Sequence, residues 1–133
     1  MSKVIVVPCS GIGKVYGLMA REAALAVTDH LAKETSETVC LAHIVTGDEE
    51  ITGKVCGQSC ISIDGCASLC SFHSLEAAGG IVKGKFRSVD EMRFHRGTNP
   101  GTGSDLTEVG WQITDELAAK IAVKVDEIQK EAK

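Results

Sequence analysis

Four consecutive β-branched residues, Val4 to Val7, run into Pro8-Cys9-Ser10-Gly11, and an alanine-rich stretch from about Tyr16 to Lys33 follows. Such an apolar run, closed by breakers and succeeded by a helix, is a buried strand feeding a crossover, and few folds begin that way. Along the expected helix, Leu18, Met19, Ala23, Ala26, His30 and Leu31 fall roughly on one face. The motif then repeats. Thr38 to Ile44 is a second apolar run containing Cys40, and Gly47, Gly53 and Gly57 punctuate a short, weakly helical connection. Ser59 to Ile63 reads as the third strand, ending at Asp64-Gly65-Cys66, and Ala67 to Ala78 as a helix stopped by Gly79-Gly80. Ile81 to Phe86 is a more polar strand, suited to a sheet edge because Lys83 and Lys85 alternate around Gly84. A long loop rich in Gly, Thr, Asn and Pro spans His95 to Gly110. The last helix is expected from about Thr114 to Lys130, capped by Thr114 or Asp115, with Leu117, Ile121, Val125 and Ile128 at helical spacing.

Strands alternating with helices imply an α/β fold: a small three-layer arrangement with a mostly parallel sheet of about four strands flanked by helices. At 133 residues, 44% of them hydrophobic, the chain suits a single domain covering residues 1–133. A formal net charge of -4 argues against a nucleic-acid partner, which needs a clustered excess of Lys and Arg. No apolar stretch approaches the ~18 residues of a membrane span, and the N-terminus lacks the pattern of a secretory signal. A cytoplasmic location is therefore expected, where the six cysteines stay as thiols or metal thiolates.

In open parallel sheets, ligands bind beyond the carboxyl ends of the strands, at the point where strand order reverses. Cys9 follows the first strand, Cys40 lies within or at the end of the second, and Cys66 follows the third, so distant turns are expected to project thiols toward one crevice. Cys70 joins them from the helix that Cys66 opens. Four residues apart on a helix, Cys66 and Cys70 share a face about 6 Å apart. Near a helix N-terminus the dipole favours thiolate, the form that zinc requires, and four sulfurs close a tetrahedral site. One Cys-x3-Cys pair is nevertheless a weaker signal than two Cys-x2-Cys pairs, and free cysteines are often simply buried. Cys60, mid-strand in an apolar run, fits burial best. A different quartet, Cys56, Cys60, Cys66 and Cys70, stays open at this level, as does His73, three residues after Cys70 and seven after Cys66 on the same expected helix face, replacing a cysteine.

Pro8-Cys9-Ser10-Gly11 after the first strand, Cys40-Leu41-Ala42 in the second run, and Ile63-Asp64-Gly65-Cys66 followed by Cys70 together resemble the DGC-domain proteins. These small bacterial and archaeal proteins are named for the Asp-Gly-Cys triplet and described as zinc-binding. The resemblance spans roughly Val4 to Gly79 and implies Cys9, Cys40, Cys66 and Cys70 as ligands, with zinc as the cofactor. Cys56 and Cys60 fall outside the family pattern, and Ala67 stands where many members have proline. The resemblance carries no demonstrated activity.

Asp64 is placed to order the Cys66 turn by accepting backbone amides, to support a metal ligand from behind, or simply to cap a turn or helix. Gly11-Ile12-Gly13-Lys14 lacks the Ser/Thr of a phosphate loop, since Val15 follows. Lys83, Lys85, Arg87, Arg93 and Arg96 form one basic stretch, read as a solvated edge. Two functions follow from the thiols. One is a zinc-binding protein with a cysteine thiolate cluster at the carboxyl ends of the strands; the alternative is a thiol redox or electrophile-handling enzyme with a reactive Cys66 or Cys9.

Overall fold

A computed structural model of the chain describes residues 3–9, 14–39, 41–65 and 69–131. Its centre is strand β1 (Val4–Pro8), buried along nearly its whole length. Successive side chains point to opposite faces of a strand. Val4 and Val6 accordingly enter one core cluster, and Ile5 and Val7 another. A strand apolar on both faces belongs inside a parallel sheet covered on both sides.

Helix α1 (Val15–Ala26) follows, and a π-helical turn continues it to Leu31. Strand β2 (Ser36–Thr38) comes next, then the short helices α2 (Leu41–Val45) and α3 (Glu49–Val55). Strand β3 (Ser59–Asp64), helix α4 (Cys70–Ala77), strand β4 (Ile81–Arg87), a 3-10 segment (Ser88–Phe94) and helix α5 (Glu108–Glu131) complete the order.

The sheet runs β2-β1-β3-β4 with every pairing parallel. One face carries α1 and α5, whose Ala20, Ala23, Leu117 and Ile121 pack with Val4, Val6, Ile61 and Ile63. The other carries α2, α3 and α4, through Leu41, Ile44, Val55 and Leu75 against Ile5, Val7 and Cys60. The expected three-layer α/β architecture is thus present, and β4 is the expected polar edge. In β4, Cys60 pairs with Val82 and Ile61 with Gly84, so Lys83 is the extra residue of a bulge.

Three boundaries differ from the sequence reading. The second strand lies earlier than Thr38 to Ile44, because Leu41 and Ile44, three apart, bury one side of α2 while Ala42 and His43 face solvent. The last helix begins at Glu108 rather than Thr114. Its cap is the Thr107 hydroxyl, which accepts the Gly110 amide at 3.1 Å, whereas the Thr114 hydroxyl bonds back to the Gly110 carbonyl at 2.8 Å inside the helix. Gly110 suits that early turn because a Cβ there would strike the Pro100 carbonyl of the packed loop. The third difference concerns the start of α4. Leu69 adopts a left-handed conformation (φ 53°), and the helix starts only at Cys70.

Candidate metal centre at the carboxyl rim

The chain leaves β1 toward β2 on one side, while β3 takes the other side, so the strand order reverses between β1 and β3. A crevice opens at their carboxyl ends for that reason. Cys9 sits there, one residue past β1. It is 8% exposed, its backbone amide donates to the Ile63 carbonyl at 2.8 Å, and its Sγ accepts the Gly65 amide at 3.2 Å. The sulfur is thus held by the turn that closes β3.

Asp64, the last residue of β3, is buried at 1% exposure. Its Oδ1 accepts the Ser71 amide at 2.8 Å and its Oδ2 the Phe72 amide at 3.2 Å. The carboxylate therefore caps α4 from the neighbouring strand, satisfying amides that a helix start leaves without partners. Burial pushes its carboxyl above the ordinary value, opposed by those two amides and by His73. Of the readings open for Asp64, the helix cap is the one present; the Cys66 turn itself lies outside the described residues.

Ser71, also buried, donates its hydroxyl to the Val7 carbonyl at 2.7 Å, which ties the start of α4 to the end of β1. Gly65 closes the other side: a Cβ there would lie 3.0 Å from the Gly17 amide nitrogen and 3.1 Å from the Tyr16 carbonyl carbon of α1. In the Asp-Gly pair, the aspartate fixes α4 and the glycine admits α1.

Of the four expected ligands, Cys9 and Cys70 are brought to this rim. Cys70 is exposed and is the first residue of α4, directly before the Ser71 that bonds Val7. Cys40 and Cys66 lie outside the described residues; the strands before them, β2 and β3, end at Thr38 and Asp64. Ser10, the Gly11-Ile12-Gly13 segment and Ala67 lie outside them as well. Because α4 begins at Cys70, the argument from i, i+4 helical spacing to Cys66 loses its premise, and so does the shared helical face of Cys66 and His73. Among the described residues, no three His, Cys, Asp or Glu side chains stand together as a metal-binding group.

The alternative quartet fares differently. Cys60 is buried in the core near the amino end of β3, its thiol pushed up to about 11 by burial. Cys56 precedes that strand, packed by the turn after α4, where a Cβ on Gly79 would meet its Sγ at 3.0 Å. Four residues of strand, roughly 13 Å, separate Cys60 from the rim at Asp64. Among the histidines, His30, His43 and His73 are exposed, and His95 bonds Glu116 at 2.9 Å.

The basic stretch is largely engaged. Arg87 makes two bonds to Asp90 at 3.0 and 2.7 Å, Lys83 pairs with Glu131 at 3.6 Å, and Lys85 lies 4.5 Å above the Phe72 ring. Sequence reasoning missed Ser71 and Leu69, because neither a lone serine nor a leucine advertises a tether or a left-handed turn.

The family model of the DGC domain matches residues 5–125. Neither a curated protein nor a solved structure matches the chain. Among the described residues, no helix is long and apolar enough to cross a membrane.

Proposed function

The chain belongs to the DGC-domain family, and from that premise we propose that it is a cytoplasmic zinc-binding protein whose ligands are the thiolates of Cys9, Cys40, Cys66 and Cys70. The observation that carries this reading is the Gly65 amide donating to the Cys9 sulfur at the reversal point of the sheet. A largely buried sulfur used as an acceptor suits a thiolate ligand, and backbone N–H groups of this kind orient and stabilise metal thiolates. The donor set fits zinc for its softness and its number.

The chain's own residues have distinct tasks around such an ion. Gly65 aims the Cys9 sulfur, Asp64 fixes where α4 begins and hence where Cys70 lies, and Ser71 locks that helix start onto β1. Bound zinc would supply a crosslink between turns distant in sequence and, wherever one ligand position is open, a Lewis acid.

Elemental analysis of protein purified under reducing conditions without chelator tests the proposal. Roughly one zinc per chain is expected, lost on Cys→Ser change at any of the four positions and retained in Cys56→Ser. Metal-free protein from such a preparation would sink the reading. The same amide bond to Cys9 also favours a second reading, a low-pKa reactive thiol. That reading requires pH-dependent alkylation of Cys9 near neutrality in zinc-stripped protein, and uniformly slow alkylation rejects it.

A further inference from the structure

A cavity of about 320 Å³ opens between the carboxyl ends of β1 and β2 and the outer side of α1. Its walls are mostly apolar: Pro8, Leu25, Val39 and Leu41 line it, with Cys9 at one end and Arg21 as its only charged residue among those described. Arg21 is not fully exposed, and its Nε is buried without a hydrogen-bond partner. Closed off from water, Nε is also out of reach of a ligand in the cavity, which meets the terminal guanidinium nitrogens instead; a guanidinium set in an apolar wall is usually answered by a carboxylate.

This chain carries 18 acidic residues against 14 basic ones, yet none of the described acidic side chains is paired with Arg21. The other described basic residues without a carboxylate partner, Lys3, Lys14, Lys33, Lys85, Arg93 and Arg96, are all exposed to water. An arginine fork beside an apolar cavity is complementary to a molecule that is apolar at one end and anionic at the other. At a liquid-water share of ~30 Å³ per molecule, the space suits about ten non-hydrogen atoms.

We propose that this cavity binds a small apolar carboxylate, its headgroup on the Arg21 guanidinium and its hydrocarbon body against Leu25, Val39 and Leu41. The site is independent of the zinc reading, because its walls and its charge are present without a metal. Cys9, at the same wall, brings the bound acid beside the rim.

The test uses octanoate, with octylammonium and 1-octanol as controls of equal chain length, titrated into the full chain with methyl-labelled Leu and Val followed by NMR. Zinc-stripped and zinc-supplemented samples are run in parallel. Octanoate is expected to shift the Leu25, Val39 and Leu41 methyls in both samples, with octanol weaker and octylammonium silent. Arg21→Gln is expected to weaken octanoate about 10- to 100-fold, the value of a charge-assisted hydrogen bond. Arg21→Lys should fall between, since it keeps the charge and loses the fork. Leu25→Ala, at a half-exposed position, gives a second variant should Arg21→Gln fold poorly, and it should weaken octanoate and octanol alike. Equal binding of octylammonium, unchanged affinity in folded Arg21→Gln, absence of shifts at these methyls, or binding only with zinc present would each overturn the proposal. A failure of zinc stoichiometry, measured separately, leaves it standing.

Discussion

Replacing Asp64 tests whether one buried carboxylate holds the rim together. In Asp64→Ala, the Ser71 and Phe72 amides lose their acceptor at once. Each orphaned amide costs about 1–3 kcal/mol, or about 2–6 kcal/mol for the pair. Removing a buried carboxylate returns some of this, because burial already disfavours its charged form, which leaves a loss of about 2–4 kcal/mol. Asp64→Asn keeps one acceptor oxygen and should lose about 1–2 kcal/mol. Against a total stability of ~5–15 kcal/mol, both are readable as midpoint shifts in urea at unchanged slope. The pH dependence gives a second check. Since the folded carboxyl binds its proton more tightly than the unfolded one, its stabilising contribution is complete below the ordinary value of 3.8 and is lost as pH rises through the folded pKa. The advantage of wild type over Asp64→Asn should therefore grow on acidification from neutrality toward that value. A stability change within about 0.5 kcal/mol for Asp64→Ala, the size of an ordinary surface substitution, would refute the capping argument, and an advantage that shrinks with acid would refute the sign.

Gly110→Ala should destabilise by about 1–3 kcal/mol although alanine is the better helix former, because its methyl overlaps the Pro100 carbonyl; Trp111 fluorescence in urea reports it, and a gain in stability would contradict the packing. At pH 8, a Cys60 thiol with a pKa of about 11 is ionised only to about one part in a thousand, so iodoacetamide should spare it in the native protein while exposed Cys56 reacts; equal labelling of the two, read by mass spectrometry, would contradict its burial.

Much of the fold could be read from the chain because β1 is a continuous apolar run, β3 sets Cys60, Ile61 and Ile63 before the Asp64-Gly65 turn, and β4 places Lys83 and Lys85 around Gly84. The second strand could not. Only Ser36 to Thr38 pair with β1, and these residues are polar, so the eye moves to the richer run beyond them, which the core uses as a helix. The start of α5 was hidden for a related reason: Thr107 to Gly110 has loop composition, and the contact that gives Gly110 its purpose comes from Pro100, ten positions away. At the rim, Cys9 and Asp64 were legible from their place at the ends of strands. The helix start at Cys70 was not, since a left-handed leucine has no signature in sequence. Arg21 was invisible too, because a lone arginine in an alanine-rich helix gains meaning only when its neighbours across the cavity turn out apolar.

The bonds that join the rim span great lengths of chain: Gly65 to Cys9 crosses 56 positions, and Ser71 to Val7 crosses 64. During synthesis Cys9 therefore emerges well before the groups that will hold it. Any ion or reagent that needs both turns meets them only on a finished fold, so occupancy of the rim doubles as a record that the chain has folded, and withdrawing that occupant should lower the melting temperature in proportion to how tightly it was held.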